Sequence, residues 1–243
     1  MDFRLYPLLF APFAGSFLGV LILRLPEGRP VAWVRSTCAH CGEALGGRDL
    51  VPILSYLRLR GQCRHCGQRI VAFHVWVELA AIAVAGSASC FATDARWLWA
   101  DCLLGWGLLA LAWIDARTML LPNVLTLPLL FLGLIATGLL EFHEVEEHAL
   151  AALLGYGSFA IIAVGYHRLR GYAGLGMGDA KLMGVAGAWL GLAVLPWIVF
   201  LAATAGLLFA GARLLAGQAI ARSTVMSFGP FLAFAIWVIR LWQ

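Results

Sequence analysis

The chain has 243 residues, of which 62% are hydrophobic and only 12% are charged, and its mean hydropathy is +0.88. Soluble domains are about 45–50% apolar and about 25% charged, so this composition excludes an ordinary soluble enzyme and equally a disordered or fibrous protein. The net charge of +4 is too small to indicate a nucleic-acid partner. We therefore expect an integral membrane protein that crosses the lipid bilayer several times.

Eight apolar runs along the chain are candidates for transmembrane helices, although the sixth is short. They cover residues 5–24, 74–93, 97–115, 119–140, 149–166, 180–193, 195–216 and 226–242. The sixth and seventh form one stretch that is too long for a single crossing, and Pro196 is the expected break between them. The sequence thus predicts an all-α polytopic membrane protein with about eight transmembrane helices.

The basic residues indicate which side of the membrane each loop occupies. If residues 24–73 lie in the cytoplasm, fourteen of the seventeen Lys and Arg residues lie on that side, as the positive-inside rule requires. The acidic loop 141–148 then lies outside, and we expect its His143 and His148 to be solvated. The run 5–24 lacks a small-residue cleavage site followed by a soluble domain, so it is interpreted as a retained helix.

Residues 26–73 differ from the rest of the chain, since they are rich in Arg and Gly and contain four of the six cysteines. These form two C-x2-C pairs, each within a repeated C-x-H-C-G sequence: Cys38, Cys41, Cys63 and Cys66. Two such pairs can complete a tetrahedral four-thiolate zinc site, which would stabilise a segment too small to fold around its own core. We therefore predict a small cytoplasmic zinc-binding loop domain in which the metal is structural.

Other interpretations of these cysteines remain open. The two pairs could form disulfides, although a reducing cytoplasm disfavours them. His40 and His65, which lie inside the pairs, could replace a cysteine as a ligand. Cys90 and Cys102 lie in predicted helices and are interpreted as small apolar residues.

Asp115 and Asp179 lie at the cytoplasmic ends of predicted spans, and an ionisable residue at membrane depth is a functional candidate. Two carboxyl groups that meet across a helix interface can carry out aspartic proteolysis: one takes a proton from water while the other polarises the scissile carbonyl. Because Asp179 is expected at a helix N-terminus, we expect it to be the more easily ionised of the two. Each could instead be structural, Asp179 as a helix N-cap and Asp115 as a helix-end residue.

Four more residues are interpreted as support for the substrate or the backbone: Gly176, Gly178, Lys181 and Glu78. The two glycines leave the backbone before Asp179 without side chains, so a peptide could lie against it. The run GLGMG follows an Arg-rich connector rather than a buried strand, which argues against a dinucleotide loop. Glu78 lies one turn inside the second span, where a packing or hydrogen-bonding role competes with a catalytic one.

Several motifs together resemble those of the type IV prepilin peptidases, which are GxGD membrane aspartic proteases. They are GSFLGVLILRLP (15–26), VPILSYLRLRGQCRHCG (51–67), VELAA (77–81), IDARTMLLPNVLTLPLL (114–130), GMGDAKLMGVAGAWLG (176–191) and SFGPFL (227–232). The resemblance covers nearly the whole chain. It implies that Asp115 and Asp179 are catalytic, that Gly176 and Gly178 belong to the GxGD motif, and that the four cysteines bind zinc.

The resemblance also implies a multi-pass enzyme of the bacterial inner membrane, with its zinc domain and both catalytic aspartates on the cytoplasmic side. Such enzymes remove the short leader from type IV prepilins and pseudopilins, and many then methylate the new N-terminal amine with S-adenosylmethionine. The implied domains are a first helix at 1–25, a methyltransferase-associated zinc-binding domain at 26–73 and a peptidase domain at 74–243.

Three positions depart from the pattern of that family: Gly19 and Leu50 stand where Asn is usual, and Ala39 where Pro is usual. All three lie in the half linked to methyl transfer, so a peptidase without methyltransferase activity is the first alternative. A transporter built on intramembrane carboxylates is a second, although no repeat symmetry supports it. A non-catalytic scaffold that recruits partners through the zinc loop is a third.

Overall fold

The computed structural model describes residues 3–31, 34–171, 175–218 and 226–243, and over that range it is almost entirely helical. Nine α-helices follow one another in the described residues: α1 Leu5–Arg24, α2 Leu54–Arg58, α3 Phe73–Phe91, α4 Ala95–Thr118, α5 Asn123–Leu140, α6 Val145–Arg170, α7 Met177–Leu190, α8 Leu195–Leu215 and α9 Gly229–Trp242. β-pairing is limited there to two isolated antiparallel bridges. The predicted all-α architecture is confirmed.

Six of the described helices are long and apolar enough to cross a membrane, namely α1, α3, α4, α5, α6 and α8. Helices α7 and α9 have 14 residues each, and a rise of 1.5 Å per residue makes them about 21 Å long, less than a hydrocarbon core of about 30 Å. The multi-pass membrane architecture is therefore confirmed, while the count of eight crossings stays a prediction. The break expected at Pro196 is correct, since α7 ends at Leu190 and Pro196 lies in the first turn of α8.

The chain divides into two compact units, Met1–Ala110 and Leu111–Gln243. In the first unit α1 packs on α3 through two buried glycines. A Cβ at Gly15 would lie 2.5 Å from the Glu78 Cα atom, and one at Gly19 would lie 2.5 Å from His74 Nδ1. Glycines of this kind let the backbones of membrane helices approach closely, so polar side chains of α3 can lie against α1.

In the second unit α7 is the central helix, with 11 of its 14 residues buried and with α5, α6 and α9 packed against it. Glycines again set the spacing: a Cβ at Gly187 would overlap the backbone of Ala151 in α6, and one at Gly155 in α6 would lie 2.6 Å from the carbonyl oxygen of Met183. The Trp189 indole N–H donates a hydrogen bond of 2.8 Å to the Leu129 carbonyl in α5. Helix α7 is thereby fixed on two sides, and Asp179 with it.

His148 is buried, so the expectation of a solvated side chain is wrong, whereas His143 is exposed as expected. The Nδ1 atom of His148 lies 3.1 Å from the Ala188 carbonyl oxygen in α7 and 3.4 Å from Thr137 Oγ1 in α5. Because His148 itself belongs to α6, its ring joins three helices at the end of α7 opposite Asp179. The Nε2 atom lies 3.7 Å from the carboxylates of Glu144 and Glu147. A buried imidazole is compatible with the core when it has polar partners of this kind.

Candidate functional site

Asp115 lies near the C-terminal end of α4, and Asp179 lies in the first turn of α7, both in the second unit. Both are buried, with 6% and 8% of their surface exposed, and their carboxyl groups are close enough to interact electrostatically. The structure therefore places both predicted residues at buried helix ends of the same unit, close enough for the charge of one to act on the other. Two like charges in a buried site repel each other, so this arrangement disfavours ionisation of both carboxyl groups at once.

The start of α9 holds the Asp115 carboxylate. The Ser227 hydroxyl and the backbone N–H of Gly229 both donate hydrogen bonds to Asp115 Oδ2, the second with an N···O distance of 3.0 Å. Gly229 is the first residue of α9 and Pro230 follows it in the first turn, as the Gly-Pro pair predicts. A Cβ at position 229 would overlap the Asp115 carboxylate, so this helix start requires a glycine.

The GxGD segment gives its two glycines different surroundings. Gly176 is exposed beside the Asp179 carboxylate, and its carbonyl accepts a 3.1 Å hydrogen bond from the Asp179 backbone N–H. Gly178 instead faces the segment between α4 and α5, where a Cβ would lie 2.9 Å from Leu121 Cδ1. Gly178 thus permits close packing of that segment, while Gly176 leaves the backbone next to Asp179 bare.

Lys181 follows Asp179 on α7 and is half-buried. Its Nζ atom donates a 2.6 Å hydrogen bond to Asn123 Oδ1 at the start of α5. This bond ties the N-terminal part of α7 to α5, so Lys181 acts on the backbone that carries Asp179. The arrangement as a whole offers a paired general acid and general base beside a bare stretch of backbone.

The four cysteines of the first unit form one cluster: the Sγ atoms of Cys38, Cys41, Cys63 and Cys66 all lie within 4.8 Å of one another. Each C-x2-C pair is a tight turn in which the N–H of the first cysteine donates to the carbonyl five residues later, at 2.9 and 2.8 Å. Gly42 and Gly67 complete the turns at φ angles of +71° and +69°, which only glycine adopts without strain. The repeat seen in the sequence is therefore a repeat in structure.

The cluster has the dimensions of a metal centre. Four thiolates at about 2.3 Å from a tetrahedral zinc ion are about 3.8 Å apart, and the Cys38 and Cys66 sulfurs are 3.9 Å apart. Backbone N–H groups of Cys41 and His40 lower the pKa of Cys38, which favours the thiolate that binds a metal, while the neighbouring cysteine thiols raise the pKa of Cys41. All six cysteines lie within the described residues and are free, so the disulfide interpretation is wrong for this structure.

Glu78 belongs to the first unit and has partners of its own. Its carboxylate is buried and accepts a 2.8 Å hydrogen bond from the backbone N–H of Ile53. Ile53 has a φ of +57°, an unfavourable value for a β-branched residue. Glu78 therefore contacts the backbone of the segment between the cysteine pairs.

The contact between Ser227 and Asp115 was not predicted from the sequence. Ser227 was noted only as part of SFGPFL, and it is separated by 112 positions from Asp115, whose carboxylate it contacts. No spacing rule links residues so far apart, so only the tertiary structure could reveal the contact. The Gly-Pro helix start after Ser227 was the single local signal.

Comparison with protein families gives two adjacent matches. Residues 9–91 match the model of the bacterial peptidase A24 N-terminal domain, and residues 102–211 match that of the type IV leader peptidase family. The cysteine cluster and Glu78 fall in the first match, and Asp115 and Asp179 in the second. No solved structure matches the chain.

Full-length relatives agree with these matches. A protein of Dichelobacter nodosus is 34% identical over 96% of this chain and 90% of its own length. One of Pseudomonas aeruginosa is 33% identical over 100% of this chain and 91% of its own length. One of Burkholderia pseudomallei is 37% identical over 90% of this chain and 79% of its own length. All three are named prepilin leader peptidase/N-methyltransferase. By its sequence motifs, its buried carboxyl pair and these full-length similarities, the chain belongs to the type IV leader peptidase family.

Proposed function

We propose that this protein is a membrane aspartic endopeptidase that removes the leader from type IV prepilins or pseudopilins and then methylates the new N-terminal amine. The observation that carries the proposal is the buried pair formed by Asp115 and Asp179 at two helix ends. Membership of the type IV leader peptidase family and the names of the full-length relatives support both activities.

Peptide hydrolysis by this pair needs one proton shared between the two carboxyl groups. The ionised aspartate takes a proton from water, whose oxygen attacks the scissile carbonyl carbon, while the protonated aspartate donates to the carbonyl oxygen. The C–N bond then breaks as the nitrogen takes up a proton. Gly176 supports this role, because an extended peptide can lie against the bare backbone beside Asp179.

The substrate fixes the side of the membrane on which cleavage occurs. A prepilin leader is cytoplasmic and its apolar segment lies in the bilayer, so the cut falls at the cytoplasmic membrane boundary. We infer that the protein resides in the inner membrane with both aspartates and the cysteine cluster on the cytoplasmic side. The excess of Arg in the segments that flank these residues supports this orientation.

We infer that the metal in the cysteine cluster is a structural zinc ion. Four thiolates in a closed tetrahedral set are typical of structural zinc and leave no position for a substrate. The metal would supply stability to a segment with two buried cysteines and few other buried side chains. The segment 26–73 is then the zinc-binding domain associated with methyl transfer.

The methyl donor implied for this family is S-adenosylmethionine, a sulfonium compound with an adenine ring and two ribose hydroxyls. An apolar groove of about 400 Å³ in the second unit does not fit it. Among the residues that line the groove, Ser158 alone offers a polar side chain, and the others include Leu154, Met183 and Val199. We assign no pocket to the donor and derive no step through it.

The departure at position 19 has a structural counterpart. His74 Nδ1 occupies the space next to Gly19, where a Cβ would lie 2.5 Å away. An asparagine at 19 would therefore require His74 to move. Asn at position 19, the usual residue of the family, therefore cannot coexist with the observed conformation of the His74 side chain.

The decisive experiment is cleavage of a type IV prepilin by purified protein in detergent, read by intact mass and N-terminal sequencing. We expect Asp115→Asn and Asp179→Asn each to lower the cleavage rate on the order of a thousandfold, because each removes one half of the acid–base pair. Asp94→Asn is the matched control: Asp94 pairs with Arg96 on the surface between α3 and α4, so cleavage should be unchanged.

The same assay tests the remaining parts of the proposal. An added methyl mass on the new N-terminus, dependent on S-adenosylmethionine, would establish the second activity, and its absence would favour the peptidase without methylation. Cleavage in inside-out but not in right-side-out vesicles would establish the cytoplasmic orientation. Full activity of both aspartate variants would make the proposed dyad wrong and would favour the transporter or scaffold interpretation.

A further inference from the structure

The Asp115 carboxylate receives two hydrogen bonds from the start of α9. Ser227, which supplies one of them, lies beyond residue 211, where the match to the type IV leader peptidase family ends. We propose that Ser227 is a positioning residue that holds Asp115 as the ionised member of the pair. Asp115 is then the base that activates water, and Asp179 carries the shared proton. This inference rests on the proposed function, since it takes both carboxyl groups to act in cleavage.

Helix ends alone do not decide which aspartate is ionised. Asp179 lies in the first turn of α7, which is why the sequence led us to expect it to ionise more easily. Asp115, however, accepts the N–H of the first residue of α9, so it also faces a helix N-terminus. A helix N-terminus therefore favours the charged form of both carboxyl groups, whereas the C-terminal end of α4, which carries Asp115, opposes that form at Asp115. A backbone N–H also acts on each carboxyl group, that of Gly229 on Asp115 and that of Gly176 on Asp179.

The Ser227 hydroxyl adds a hydrogen-bond donor at Asp115 beyond these backbone groups. A hydrogen bond donated to a carboxylate stabilises the charged form more than the neutral one. Asp115 Oδ2 accepts two such bonds, from a hydroxyl and from a backbone N–H, while Asp179 is the ionisable group that faces it from α7. The negative charge is thus held on Asp115, and the expectation that Asp179 ionises more easily is reversed.

The same bonds orient the reacting oxygen. Both end on Oδ2, so Oδ1 is the atom that takes the proton from water as the water oxygen bonds to the scissile carbon. Asp179 gives its proton to the carbonyl oxygen in that step. When the C–N bond breaks, the nitrogen takes the proton from Asp115 and Asp179 recovers one from the hydroxyl of the intermediate. Both groups return to their starting states.

The test is the pH dependence of prepilin cleavage by the full chain in detergent. We expect Ser227→Ala to lower kcat on the order of tenfold with little change in KM, because Ser227 contacts Asp115 rather than the substrate. The acidic limb of the pH–rate profile should move up by about one pH unit, since Asp115 loses a donor that favours its charged form. The position of that limb does not depend on how much of the enzyme is folded.

Three other variants complete the experiment. Ser227→Thr keeps a hydroxyl and should restore the rate and the profile. Ser227→Cys has nearly the same shape but a weaker donor. The acidic limb of its pH–rate profile should therefore move to higher pH by less than that of Ser227→Ala. Ser158→Ala is the matched control, because the Ser158 hydroxyl donates to the Gly155 carbonyl of its own helix, and its profile should equal that of the wild type.

The outcomes separate the two proposals. If the Ser227→Ala and Ser227→Cys profiles superimpose on that of the wild type, the positioning role is overturned even where the rate is low. If the acidic limb moves to lower pH, the charge is not held on Asp115, and the assignment of base and acid is also overturned. If Asp115→Asn and Asp179→Asn still cleave, the proposed function itself fails and this inference with it.

Discussion

Gly229, the first residue of α9, touches the Asp115 carboxylate. Its N–H donates to Asp115 Oδ2, and a Cβ would overlap that oxygen. We therefore expect Gly229→Ala to displace the carboxylate and to lower the cleavage rate at least about tenfold, since small misplacements of a catalytic group are costly.

Gly206→Ala provides the comparison for that substitution. Gly206 lies in the interior of α8, and a Cβ there would meet the Phe231 ring at 3.7 Å, which is ordinary contact. We expect cleavage and the melting temperature in detergent to be unchanged by it. Equal cleavage rates for Gly229→Ala and Gly206→Ala would contradict the tight fit described for Asp115.

At the scale of residues, the sequence predicted what depends on local chemistry. The C-x2-C spacing and the following glycines predicted both cysteine turns, because a tight turn is determined by a few adjacent residues. Asp115 and Asp179 were found because carboxylates are rare within apolar segments. Ser227 was not identified as a site residue, because its contact with Asp115 depends on how helices far apart in the chain pack together.

Gly155 in α6 and Gly187 in α7 allow these two helices to pack closely where they cross. Helix α7 carries Asp179 in its first turn. A Cβ at Gly187 would overlap the backbone of Ala151, and backbone atoms cannot move aside as a flexible side chain can. We expect Gly187→Ala to destabilise the protein by about 1–3 kcal/mol and to reduce cleavage, measured by thermal unfolding in detergent and by prepilin processing.

Gly157→Ala is the matched variant for this crossing. Gly157 lies on α6 itself, and a Cβ there would meet nothing within 4 Å. Its melting temperature should equal that of the wild type. If Gly157→Ala lowers the melting temperature as much as Gly187→Ala does, the loss of stability does not come from the contact between Gly187 and Ala151.

At the scale of elements, the length and composition of apolar runs predicted where most helices lie. The first predicted span, 5–24, coincides with α1, and the long apolar stretch is broken before Pro196 as expected. What composition could not show is that α7 is the core of its unit, because an apolar helix looks the same whether it faces lipid or other helices. The burial of His148 escaped prediction for the same reason, since an acidic loop sequence does not reveal packing against α5 and α7.

At the scale of the whole molecule, the cysteine cluster and the carboxyl pair fall in different units and in different family matches. We expect Cys38→Ser to lower zinc content roughly tenfold, because one thiolate of a closed site is lost. Methylation should fall with it while leader cleavage persists. Elemental analysis and mass spectrometry of the processed pilin measure the two effects together.

Cys90→Ser gives the control for the cysteine substitution. Cys90 is an exposed cysteine of α3 outside the cluster, so zinc content and both activities should be retained. If Cys38→Ser keeps its zinc, the four-thiolate site is wrong. If it loses zinc and still methylates fully, the segment 26–73 has no part in methyl transfer.

The contact between Asp115 and the start of α9 also bears on how the enzyme is made. Asp115 is synthesised more than a hundred residues before Ser227 and Gly229. A nascent chain inserted only as far as α8 therefore carries both aspartates, but its Asp115 lacks the two donors that hold it. Full proteolytic activity would then be acquired late in biogenesis, after most of the enzyme is already in the bilayer, and incomplete chains would be less active toward neighbouring membrane proteins.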